Sequence, residues 1–407
     1  MKVIVIGGGA AGLIAAGAAA RRGWEVVVVE RNNRMARKVM ITGKGRCNVT
    51  NNCSVDELIA HVPGNGRFLY SAVSAFGPQD TMQLFSEMGV ELKTERGNRV
   101  FPVSDKAVDI VDGLVRYAQN AGVKFRQGRV SSLKIEDGVC TGVVLEDGTD
   151  LDAYAVIVCT GGLSYPLTGS TGDGYTLAKQ AGHTVTPLRP SLVPLETVEY
   201  DCTELQGLSL RNCALQVKDN RNGKIIYTDF GEMLFTHFGV SGPMVLSASA
   251  HMREMETGRY TLLVDLKPAL DTEQLDARLL RDFEQHINAD FSNALGELLP
   301  RKMIPVMVRR SGIPPQTKCN AITKEQRRRF GALLKAFAIT IDDFRPVEEA
   351  IVTSGGVSIK EVNAKTMESK LVSGLYFAGE VLDLDAYTGG FNLQIAFSTG
   401  MAAGNAL

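Results

Sequence analysis

The sequence predicts an α/β protein in which a doubly wound, mostly parallel sheet is assembled from both ends of the chain and interrupted by an inserted β-rich and helical region. Three observations carry this. Val3 to Ile6 is a continuous apolar run fit for a strand buried on both faces, and a glycine cluster and an Ala-rich helix follow it at once. Strand and helix patterns then alternate to about residue 190. At the C-terminus an apolar strand, Leu375 to Ala378, a Gly turn and a helix from about Asn392 to Ala403 repeat the same unit. The expected divisions are a discontinuous cofactor domain of residues 1–190 and 345–407, a β-rich insert of 191–270 and a helical subdomain of 271–344.

Within the first division, Gly7-Gly8-Gly9-Ala10-Ala11-Gly12 gives G-x-G-x-x-G between strand and helix, and a second apolar strand from Trp24 ends at Glu30, next to Arg31. Gly7 permits the tight turn, and Gly9 lets a pyrophosphate approach the backbone. Gly12 lets the helix close on its strand, and free amides at Ala10 and Ala11 face negative charge. Glu30 accepts hydrogen bonds from a ribose, which favours FAD or NAD over NADP. Val139 to Leu145 with the Asp147-Gly148 turn suggests an antiparallel hairpin on that sheet.

Composition narrows the class. In 407 residues, 44 Lys and Arg meet 45 Asp and Glu, so a net charge of -1 provides no global field for nucleic acid or an anionic membrane. Apolar residues at 44% and charged residues at 22% exclude a disordered or fibrous chain. Seven scattered cysteines without C-x-x-C argue against a disulfide scaffold or zinc ribbon and for a cytoplasmic setting. The uncharged run Val3 to Ala20 has the outline of a signal peptide or short span, but its glycines are grouped and its removal would take away the first strand.

After Glu30 the chain departs from a plain NAD fold. Lys38 to Asn51 is dense in Gly, Arg, Asn and Thr, so Gly43, Gly45, Arg46, Cys47, Asn48 and Thr50 suit a loop wrapped on a flavin. Here the sequence resembles the HI0933-like flavoproteins, whose loop reads close to G-x-K-x-x-x-[ST]-G-x-G-R-C-N-x-T-N. The resemblance continues through Cys159-Thr160-Gly161-Gly162, Ser164-Tyr165-Pro166 and Gly169 to Gly174. It also covers the Gly231 to Pro243 signature, Gly379-Glu380, and Tyr387 to Gln394. It implies a glutathione-reductase-like fold, non-covalent FAD, and cofactor contacts that include Lys38, Val130, Thr160, Gly161, Gly162, Gly172, Asp173, Gly379 and Glu380. Family members are described as amine or aminoketone oxidases and as steroid or bile-acid double-bond reductases, which implies an FAD-dependent oxidoreductase acting on a small organic substrate.

The terminal motif also has a reading of its own. Gly389-Gly390 precede a helix whose bare amides favour negative charge, so Gly390, Phe391, Asn392 and Leu393 are placed to tune a reduced flavin. No second G-x-G-x-x-G follows a strand, so NAD(P)H would enter only as a transient electron donor.

Cys47 and Cys53 lie after the second strand but at C-x5-C spacing, unlike a C-x4-C redox pair. His237 in the middle signature is the candidate proton donor, against a purely structural role; Tyr165 and Tyr387 are further candidates. The remaining histidines form no ligand-spaced set, so no metal is expected. Arg301 to Arg329 holds nine Lys or Arg and one acid, a solvated face or an RNA or anion surface. An RNA-modifying flavoprotein and a non-catalytic flavin-binding protein therefore stand as alternatives. No membrane partner is expected, and oligomeric state is not legible.

Overall fold

The computed structural model describes residues 1–407. They divide into two compact units, Met1–Ser191 with Pro346–Leu407, and Leu192–Arg345.

The first unit is organised by a five-stranded sheet in the order Leu375–Phe377, Ala155–Val158, Lys2–Ile6, Glu25–Glu30 and Lys124–Gln127, every neighbouring pair parallel. Val3, Ile4 and Val5, like Val156 to Val158, are wholly buried, as expected for strands covered on both faces. Small residues set the helix positions. A Cβ on Gly17 of the helix Ala10–Arg21 would run into the Tyr117 ring of the helix Ala107–Asn120. The C-terminal helix Phe391–Asn405 lies along the same first helix, and a Cβ on Gly400 would come within 2.5 Å of the Ala11 carbonyl oxygen. Gly404 meets Ala15 in the same way. Val139–Leu145 is the middle strand of an antiparallel sheet with Val130–Glu136 and Asp150–Asp152. A two-stranded ribbon, Arg189–Ser191 against Val352–Ser354, marks where the chain leaves this unit and returns.

The second unit is a closed antiparallel barrel of six strands: Leu195–Thr197, Gly239–Ser241, Lys224–Phe235, Ser209–Asp219, Tyr260–Asp265 and Phe337–Phe344. Two sequence expectations need correction here. The stretch 271–344 does contain the helices Thr272–Gln285, Ile304–Ser311 and Lys324–Lys335, but Phe337–Phe344 is the strand that closes the barrel. Phe337, Ile339 and Ile341 are buried while the residues between them are not, a period of two that short flanking helices obscured. Barrel and helices also share one core, in which Leu275, Leu279, Phe283 and Phe330 join Leu262, Val264 and Phe337. The insert is therefore one unit rather than a β-rich piece and a separate helical one. No helix in the chain is long and apolar enough to cross a membrane.

Gly404→Val is expected to destabilise the protein by about 2–3 kcal/mol through overpacking against the first helix. Gly296→Ala, where an added methyl meets open space, is expected to change stability by less than about 0.5 kcal/mol. Urea denaturation of the two variants checks the contrast.

Candidate functional site

Four strands of the parallel sheet end at one cleft, the position where open α/β sheets bind ligands. The turn after the first strand contributes Gly7, Gly9, Ala10 and Ala11, and the end of the second contributes Glu30 and Arg31. Thr160 and Gly161 follow the third, and Gly379 and Glu380 follow the fourth. Lys38, Val130, Asp173, Asn392 and Leu393 complete the lining supplied by expected residues.

Each part of the opening turn has a distinct geometry. Gly7 sits at φ +99° with its Cα 's missing side chain directed at Cys159, whose carbonyl oxygen would be 2.5 Å from a Cβ. Gly12 closes the helix onto the Gly7 carbonyl, so it works by packing and does not border the cleft. Gly9 differs from both: it caps the first helix, and a Cβ there would meet nothing within 4 Å. The space above the helix's free amides is thus open, and the helix dipole favours an anion in it.

Glu30 is 7% exposed and its carboxylate is held in place by the Gly8 amide at 2.7 Å and the Asn32 amide at 2.8 Å. The Asn32 side chain adds a further bond at 2.7 Å. The Thr160 hydroxyl is buried beside the cleft without a hydrogen-bond partner. An open glycine cradle at a helix start, a fixed carboxylate and an orphaned hydroxyl fit an extended dinucleotide with anionic phosphates and ribose hydroxyls.

Two charge networks flank these elements. On one side Arg129 grips Asp173 through two bonds of 2.8 Å, and Arg31 lies 3.3 Å from the same carboxylate. Burial alone would raise the Asp173 pKa, but the Arg129 hydrogen bonds and the two cations outweigh it and hold the carboxyl below its usual range. On the other side Lys38 Nζ is 2.6 Å from Glu380 Oε2 and also bonds to Ser164 Oγ. Glu380 Oε1 accepts the Thr353 amide at 2.9 Å.

Residues 1–406 match the family model described as HI0933-like protein Rossmann domain. The chain belongs to this family. It is similar to 3-dehydro-bile acid delta(4,6)-reductase of Clostridium scindens, with 31% identity over 381 residues, 93% of this chain and 91% of that protein. It is similarly close to ribosomal RNA dihydrouridine synthase of Escherichia coli, 31% identical over 368 residues (90% and 88% of the two chains). The synthase of the same name from Haemophilus influenzae is 32% identical over 375 residues, 91% and 89% of the two chains. Among solved structures, 3-ketosteroid-delta4-(5alpha)-dehydrogenase of Rhodococcus jostii RHA1 shares the fold, with a TM-score of 0.53 at 14% identity, covering 100% of this chain and 96% of that one. This HI0933-like flavoprotein is an FAD-dependent oxidoreductase, and FAD is the cofactor its cleft fits.

Several residues expected at the site of this flavoprotein are not among those that line the cleft. Gly43, Gly45 and Cys47 take left-handed backbone angles of 58°, 83° and 59° in φ, and with Asn48 they form a tight loop beside it. Arg46 in that loop is turned to Glu95 and Asp105 and covers the Phe101 ring at 4.2 Å. Gly162 packs on Thr353, Gly172 on Leu163, and Gly390 on the Thr50 backbone. Thr50 Oγ1 bonds to Gln394 at 2.6 Å, and Phe391 stacks on His61 at 4.3 Å. His237 lies in the second unit, exposed on the turn between Lys224–Phe235 and Gly239–Ser241 and edge-on to Phe238. Sequence reading missed Asn32, Arg129, Ser170, Ile351 and Val352 among the lining residues, and Thr353 behind them. Asn32 and Arg129 adjoin expected positions; nothing in the sequence singles out Thr353, which holds Glu380 through its backbone amide.

Burial raises the Cys47 thiol to about 12 and, with a contribution from Glu57, the Cys53 thiol to about 11. Both are free, and such thiols supply little thiolate at neutral pH, which weighs against a redox pair. Alkylation of the native protein by iodoacetamide at pH 8 is accordingly expected to run on the order of 10²-fold slower at these two cysteines than in unfolded protein. Peptide mapping reads the rates, and labelling at the unfolded rate would contradict the burial argument. Gly9→Val is expected to cost the apoprotein no more than about 1 kcal/mol as a poorer helix cap while weakening FAD at least about tenfold, a loss of about 1.4 kcal/mol. Calorimetric titration with FAD and thermal unfolding separate the two effects.

Proposed function

We propose that this flavoprotein saturates a carbon–carbon double bond conjugated to a carbonyl, with NADH or NADPH as the source of electrons. The observation that carries this reading is the pair of names borne by relatives at 31–32% identity. A delta(4,6)-reductase of a 3-dehydro bile acid and a synthase of dihydrouridine both add two hydrogens across a ring double bond in conjugation with a carbonyl. FAD, when bound, supplies the two-electron exchange that such a reaction needs.

The chain's own residues hold and shield. Amides at the start of the first helix and the open space over Gly9 receive phosphate charge, and Glu30 receives ribose hydroxyls. Lys38 and Glu380 form a charged wall of the cleft. The sequence offers one dinucleotide motif, so the nicotinamide is taken to bind transiently rather than in a domain of its own. His237 is our choice of proton donor to the reduced carbon, since its exposed imidazole can exchange protons with solvent.

A second reading, in which the reduced ring belongs to RNA, is favoured by one surface. Arg309 and Arg310 are neutralised by Asp201 and Glu204, Lys318 by Asp290 and Arg327 by Asp276. Lys324, Arg328 and Arg329 on the helix Lys324–Lys335 remain exposed and outside any ion pair, and can meet phosphates.

Anaerobic mixing with NADH and NADPH is expected to bleach the flavin absorbance with one of them. Reoxidation is then expected with a 3-oxo-Δ4 steroid or with uridine-containing RNA, whose product gains two hydrogens by mass spectrometry. His237→Gln is expected to slow reoxidation at least about tenfold while leaving bleaching unchanged. Bleaching by amines alone, or reoxidation by oxygen alone, would replace this reading with an oxidase.

A further inference from the structure

The lining of the cleft also holds an ion pair between residues 342 positions apart, Lys38 and Glu380. Their side chains are 22% and 19% exposed, so their charges are only partly screened by water. The pair is built rather than incidental. Ser164, wholly buried, donates to Glu380 Oε1 at 3.0 Å and accepts from Lys38. The amide of Thr353, also wholly buried, fixes the same Glu380 oxygen, and the Thr353 hydroxyl accepts the amides of Leu163 at 2.8 Å and Ser164 at 3.2 Å. Gly162 has no room for a side chain: a Cβ there would be 2.5 Å from Thr353 Oγ1 and 3.0 Å from Glu380 Oε1. The loops after the strands Ala155–Val158 and Leu375–Phe377, the strand Val352–Ser354 and the short helix Arg37–Ile41 are thus committed to holding one cation and one anion at the cleft.

We propose that the Lys38–Glu380 pair sets the electron affinity of the cofactor, with Lys38 favouring the reduced state, Glu380 opposing it, and Ser164 and Thr353 fixing the balance as positioning residues. The inference rests on FAD occupying this cleft. Two-electron reduction with uptake of one proton adds one net negative charge there, so a fixed neighbouring cation favours reduction and a fixed anion disfavours it. Because the two are joined at 2.6 Å and braced on both oxygens, neither swings away to cancel its effect.

The test is the two-electron midpoint potential of the holoprotein, measured by dye-linked spectroelectrochemistry together with flavin content. Lys38→Met is expected to lower the reduced-to-oxidised ratio at a fixed potential about tenfold, about 30 mV for a two-electron couple. Glu380→Gln is expected to raise it by a similar factor, Lys38→Arg to hold it near the parent value, and the double variant Lys38→Met/Glu380→Gln to return it to that value. Equal potentials in Lys38→Met, Glu380→Gln and the parent, or shifts of the same sign in both, would overturn the proposal. Loss of flavin from both single variants would also overturn it, making the pair a binding element. A parent protein that never takes up FAD would instead sink the cofactor reading itself.

Discussion

Backbone lying against backbone is the constraint on which the rest of this structure depends. The first strand and helix are gripped on two sides by segments from elsewhere in the chain, and the contacts are made where side chains are missing. Gly7 abuts Cys159, Gly12 folds back on Gly7, and Gly400 and Gly404 of the last helix lie on Ala11 and Ala15 of the first. A methyl group at any of these points would push apart elements whose strand ends must meet at one edge. Because dispersion and burial are gained only at close approach, the glycines define where the cleft is before any polar group contributes.

The polar groups then act in a frame already fixed. Glu30 keeps its orientation through the Gly8 and Asn32 amides, and Glu380 through Thr353 and Ser164. Both carboxylates are therefore preorganised, so little ordering cost falls on ligand binding. Cations are arranged the same way, with Arg129 and Arg31 on Asp173 and Lys38 on Glu380. Cysteine takes no part in this electrostatics: burial keeps the thiols of Cys47, Cys53 and Cys159 protonated, and their role near the cleft is to fill space.

The inserted unit follows a different logic. A closed barrel has no free edges, and its helices complete a single core instead of forming their own. The basic stretch that stands out in the sequence is partly consumed in that construction, since Asp201 and Glu204 together take up Arg309 and Arg310. What remains as surface charge is Arg301 and Lys302 with Lys324, Arg328 and Arg329, all exposed and outside any ion pair.

Much was legible in the chain before folding. The apolar runs, the spaced glycines and the acid at the end of the second strand determined the parallel sheet, the helix-start anion site and the cofactor class, because each depends on local backbone geometry that only certain residues permit. Only the tertiary structure decided that Phe337–Phe344 closes a barrel, since pairing with the distant strand Leu195–Thr197 leaves no local trace beyond a faint alternation. It likewise decided that Arg46 turns to Glu95 and Asp105, and that Lys38 meets Glu380 across a buried Ser164 and a Thr353 amide. Charge partners are chosen by which side chains the fold brings within reach, and a backbone amide carries no sequence signature at all.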